Sequence, residues 1–141
     1  MVVAAIAVII DRLNANKARQ TELFMQLYDK YNDEKFHRNH FHLMSLKWDD
    51  FDDYWEKYGP DNNPETNAII ASLSGFYEGL GVLAKRGLID LTLVDDLMSG
   101  NIIQFWEKIG PIVREIRSAL NWPQAFEWTE YLYQEIRKLN N

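Results

Sequence analysis

The sequence predicts an all-α chain: a single helical bundle domain with a long N-terminal helix extending from it. Three observations carry this. Apolar residues recur at intervals of three and four along nearly the whole chain, no stretch shows sustained strand-like alternation, and Gly and Pro fall where helices would start, stop or bend. The 141 residues suffice for one core of packed helices but not for two.

The first element opens on Val2 to Ile10, VVAAIAVII, an uninterrupted apolar run with Val2, Val3, Ile6, Ile9 and Ile10 as its anchor residues. It has about half of the roughly 20 residues that a bilayer-spanning helix needs. A secretory leader fits poorly, because no basic region precedes the run and no small-residue cleavage site closes it. Arg12, Lys17 and Arg19 follow instead, as where a membrane helix emerges on the cytoplasmic side. The helical reading continues without Gly or Pro to Asn32, with Leu23, Phe24, Leu27, Tyr28 and Tyr31 returning at helical spacing. Between them Asn14 to Glu22 is polar nearly all round, which suits a solvent-bridging stalk. The expected division is therefore 1–22, apolar anchor and polar stalk, and 23–141, helical bundle.

Asn32 or Asp33 caps a second helix, Glu34 to Leu46, with Phe36, His40 and Leu43 on one face. Asp49 or Asp50 caps a short third helix that stops at Gly59-Pro60. Asn63-Pro64-Glu65 sets an N-cap, a proline in the first turn and an acid at the positive helix end, opening a fourth helix that closes on Gly87. Its seam is Ile69, Leu73, Phe76, Leu80 and Leu83. Beside it run Ala71, Gly75 and Gly79, spaced by four, a stripe expected to let another helix approach closely. A short helix around Leu93 to Met98 is expected to stop at Ser99-Gly100. A further one carries Ile102, Trp106, Ile109, Val113, Ile116 and Leu120, kinked at Gly110-Pro111. The last helix is expected to start near Pro123 and to present Phe126, Thr129, Tyr133, Ile136 and Leu139 on one side.

Composition excludes several functions. There is no cysteine, hence no disulfide, thiolate metal site or cysteine nucleophile. Between Trp48 and Glu65 seven acids face the single base Lys57, which accounts for the whole net charge of −6. The rest is neutral, without the basic stripe that nucleic acid requires, so nucleic acid is not an expected partner. No activated serine, glycine-rich phosphate loop or paired His-Asp arrangement appears, so no catalytic residue and no cofactor is expected.

Two clusters admit a ligand reading. His37 and His40, three apart, with Glu34 or Asp33 a turn earlier, have the residue types and spacing to hold zinc or another divalent metal. The plainer reading is an amphipathic helix whose histidines hydrogen-bond locally. Asp49-Asp50-Phe51-Asp52-Asp53 gathers carboxylates but lacks the glycine turn and terminal glutamate of a calcium loop, and helix capping accounts for most of it. Trp48, Tyr54, Trp55 and Tyr58 flank these acids as core anchors or as a partner surface, the core reading weighing more.

Phe76-Tyr77-Glu78-Gly79-Leu80-Gly81-Val82-Leu83, Arg86-Gly87-Leu88-Ile89-Asp90, Trp106-Glu107-Lys108, Pro111-Ile112-Val113 and Arg117, with Arg19, Leu23, Leu27 and Tyr31 on the entry helix, resemble a prokaryotic helical domain family of unknown function. Its members usually carry one transmembrane helix directly before the domain. The resemblance implies architecture and a membrane habit and brings no catalytic residues, and the nine apolar residues here are fewer than the usual span. The expected role is a membrane-proximal interaction or regulatory module on the cytoplasmic side of the cell membrane, self-associating or part of a larger complex. Its rivals are a metal-binding helical enzyme or sensor using His37 and His40, and a soluble cytoplasmic oligomer in which a protein partner buries the N-terminal segment.

Overall fold

Capping side chains punctuate the chain. In a computed structural model describing all of Met1–Asn141, the Asp33 side chain accepts from Lys35 N–H, and Asp50 Oδ1 accepts from Asp53 N–H at 2.9 Å. Asn63 Oδ1 accepts from Thr66 N–H at 3.1 Å and Asp90 Oδ1 from Thr92 N–H at 2.9 Å. Each such cap stabilises its helix by about 1 kcal/mol. The result is six helices and no strand: α1 (Val2–Tyr31), α2 (Glu34–Ser45), α3 (Phe51–Tyr58), α4 (Pro64–Lys85), α5 (Leu91–Ala119) and α6 (Glu127–Leu139).

Gly87, at φ +68, ends α4 in the left-handed conformation that glycine adopts without strain. There Leu88 N–H reaches back to Leu83 O at 2.9 Å and Gly87 N–H to Ala84 O at 3.1 Å, the paired bonds of a Schellman turn. Gln20 Nε2 donates to Gly87 O at 2.8 Å, tying α1 to this turn.

Two expected boundaries are corrected. The short helix and its long successor are one element, α5, helical from Leu91 to Ala119 through Ser99-Gly100 and through Gly110-Pro111. An interior glycine costs about 1 kcal/mol. Burial of Met98, Ile102, Phe105, Trp106 and Ile109 on one face of α5 outweighs it. The last helix begins at Glu127, not near Pro123, because Trp122 to Phe126 form successive turns, with Asn121 at φ 49 and Phe126 at φ 58.

The core is one cluster centred on α4 and α5, closed by Phe24 and Tyr31 of α1, Leu43 of α2, Tyr54 of α3 and Leu132 and Ile136 of α6. The buried face of α4 carries Ile70, Leu73, Tyr77 and Leu80, turned by one residue from the expected seam, so Ile69, Phe76 and Leu83 lie at its half-buried margin. Helix α4 is the one helix long and apolar enough to cross a membrane by length and composition, and these side chains make it the middle of the bundle.

The Tyr77 hydroxyl is fully buried and has no hydrogen-bond partner, and burial pushes its ionisation far above the usual tyrosine range. A buried hydroxyl without a partner costs roughly 1–3 kcal/mol. Tyr77→Phe is therefore expected to stabilise the protein by about 1 kcal/mol, read as a higher urea midpoint at unchanged slope. A lower midpoint would mean that the hydroxyl is satisfied in solution, by a buried water for example.

Candidate functional site

Two features stand out from the packed bundle: the N-terminal half of α1 and a furrow along α3. Every residue from Met1 to Arg19 is exposed, and the first buried residue of α1 is Phe24. Among the anchor residues Val2 and Val3 are 73% and 81% exposed and Ile6, Ile9 and Ile10 at least half exposed, with Leu13 alike. A helix apolar on all sides is stable in water only when something covers it.

The furrow is assembled from three remote segments. At one end, a groove of about 530 Å³ lies between α3, the first half of α4 and the α5–α6 turn, with Trp55, Ala71, Gly75, Leu120, Trp122 and Phe126 among its walls. Trp55 and Leu120 continue into a second hollow that adds Phe51, Asp52 and Glu56. Phe51 and Asp52 lead in turn to a cleft with Asp49, Asp50 and Glu115. The furrow thus grades from apolar to acidic. Asp53 is held below the usual carboxylate range, first by Lys57 Nζ, which donates to it at 2.8 Å, and then by Asp49 N–H at 2.9 Å. Asp49, Asp52, Glu56 and Glu115 have no ion-pair partner. Behind the cleft, Lys108 sits 4.5 Å over the Trp48 ring and donates to Leu46 O, and burial lowers its pKa.

The turn that forms one wall is held in place by charged groups. Phe126 is left-handed, a conformation rare for a bulky residue. It occupies the N-cap of α6 without a capping side chain of its own. Glu78 of α4 supplies the cap from across the groove, its Oε1 accepting from Thr129 N–H and from Thr129 Oγ1, both at 2.6 Å. Arg117 donates through Nε to Ala125 O at 2.9 Å and pairs with Glu130 at 2.8 Å.

The histidines do not converge. His40 is buried, its Nε2 2.9 Å from Gln104 Oε1 and its Nδ1 without a partner, while His37 Nε2 is 3.3 Å from Asn32 Oδ1. Glu34 is taken by Arg38. No group of three or more His, Asp or Glu is placed to hold a metal ion, and His37, His40 and Glu34 each bond a different partner, His40 across to α5 and the other two within a few residues.

The Ala71, Gly75 and Gly79 stripe is exposed, and no helix of this chain lies on it: a Cβ added at Gly75 or Gly79 meets nothing within 4 Å. Ala71 and Gly75 instead line the groove. The close approach occurs at Gly81, which is buried under the Trp128 carbonyl of α6. Sequence reasoning missed Gly81, Glu78 and the α5–α6 turn; the signal for the first two was their spacing of three, which sets them on one face of α4.

The motifs that carry the resemblance lie on α1, α4, the α4–α5 turn and α5, and the family whose pattern matches residues 1–136 is described as a domain of unknown function, DUF4760. The chain belongs to this DUF4760 family. The match begins at the apolar segment and runs through most of α6. No curated protein and no solved structure matches the chain.

Proposed function

We propose that this DUF4760 chain is a membrane-proximal helical interaction module: the apolar end of α1 inserts into a bilayer, and the bundle is presented on the cytoplasmic side. The observation that carries this reading is the exposure of α1 from Met1 to Arg19. Covering the side chains of Val2 to Ile10 is worth on the order of 10 kcal/mol at about 25 cal/mol per Å² of apolar surface. Arg12, Lys17 and Arg19 follow at the level of the headgroups, where anionic lipid attracts each base by about 1 kcal/mol. The polar stretch Asn14 to Arg19 spans about 9 Å at 1.5 Å per residue, and Gln20 then ties α1 to the bundle at Gly87 O.

Flotation with phosphatidylcholine–phosphatidylglycerol vesicles tests the proposal. The full chain is expected to rise with the vesicles, while a chain lacking residues 1–12 stays at the bottom and keeps its cooperative thermal transition. If the full chain stays down and sediments as an oligomer that the deletion dissociates, the segment is covered by a second copy, and the soluble oligomer replaces this reading. Loss of the thermal transition on deletion would make the segment part of the core.

A further inference from the structure

We propose that the furrow along α3 is a docking site for a basic amphipathic helix of a partner protein, its apolar side chains seated in the groove over Ala71 and Gly75 and its lysines or arginines against the acids of α3. The groove is open because two small residues line it. Nothing in this chain uses the space above Gly75, where an added Cβ meets no atom within 4 Å. Its rim leaves Leu120 and Trp122 55% and 51% exposed, large apolar surface of the kind that anchors interfaces. The wall is also pre-formed: Phe126 stays left-handed because Glu78 and Arg117 fix the turn on both sides, so a ligand meets a rigid surface.

Charge selects the occupant. From the groove the furrow passes Asp52 and Glu56 and ends at Asp49, Asp50 and Glu115, all without ion-pair partners and all but Glu115 in the Trp48–Glu65 segment that carries the net charge of the whole chain. Anionic lipid and nucleic acid are repelled here. A helix with apolar anchors at helical spacing and bases on its flank satisfies both parts at once, by the helix-in-groove mode. The proposal rests on the interaction-module reading. At the cytoplasmic face of a membrane, the segments that flank membrane helices carry an excess of Lys and Arg, the composition this furrow fits.

The test titrates the full chain, without vesicles, with a synthetic tryptophan-free helix of leucine and lysine, reading indole N–H resonances by NMR. Saturable binding is expected to shift the Trp55 and Trp122 signals. Gly75→Leu, which fills the groove from an exposed helical position, is expected to weaken binding about tenfold or more, a loss of about 1.4 kcal/mol. Gly79→Leu, also exposed but outside the groove, should leave it unchanged. Asp52→Asn with Glu56→Gln should weaken it about threefold at low salt, as for rim charges. Equal affinities of the Gly75 and Gly79 variants, equal binding of a leucine–glutamate helix, or no saturable shift would overturn the proposal. So would concentration-dependent dimerisation abolished by Gly75→Leu, which would make a second copy the occupant. Vesicle flotation of the Gly75→Leu chain stays normal in every case where only the groove assignment fails.

Discussion

Gly81→Ala is expected to lower stability by about 3 kcal/mol or more, or to prevent folding altogether. The added Cβ would press into the Trp128 carbonyl oxygen, 2.8 Å from the carbonyl carbon and 3.1 Å from Trp128 Cβ. The obstacle is backbone, which has no alternative rotamer, so α6 must lift from α4. That movement also breaks both bonds that Thr129 donates to Glu78. Gly75→Ala and Gly79→Ala are the matched controls, with the same chemistry on the same helix but open space around the new methyl. Each is expected to stabilise by about 0.5–1 kcal/mol, because alanine loses less backbone freedom in a helix than glycine does. Urea titrations of the three variants check this. A Gly81→Ala midpoint equal to that of the controls would mean that α6 is not seated on α4 as described.

This contrast shows where the sequence was readable. The helix cap at Asn63, the stop at Gly87 and, to within one residue, the caps at Asp33 and Asp50 were legible because each is a local bond between neighbours in the chain. The all-α class followed from spacing for the same reason. What spacing could not say is which face of a helix meets which neighbour. On α4 the stripe through Gly75 and Gly79 and the face through Glu78 and Gly81 are offset by one turn step of roughly 100°, and only the position of α6 distinguishes them. Gly100 misled in the opposite sense, since its local cost is small beside the burial of Ile102 and Phe105 on the same helix. The furrow was least legible, because residues near 51–56, 71–75 and 115–126 are brought together by packing alone. Its acids were visible in the sequence, whereas the walls beside them were not.

Glu78→Ala is expected to cost about 2–4 kcal/mol, although the side chain is only part-buried and makes no ion pair. Thr129 is fully buried, and Glu78 is the partner of both its N–H and its hydroxyl. Removing the carboxylate strands two buried donors at the start of α6, each costing roughly 1–3 kcal/mol, and removes a negative charge from the positive end of the helix. Phe126 at the N-cap position cannot substitute, having no acceptor in its side chain. Glu78→Gln keeps an acceptor oxygen and should cost about 1 kcal/mol. In Glu78→Ala combined with Thr129→Val the hydroxyl is gone from both sides of the count, so the pair should be less damaging than the sum of its parts by about 1 kcal/mol. Denaturation of the four variants measures that coupling. An additive double variant would show that Glu78 acts through the groove wall and not through Thr129.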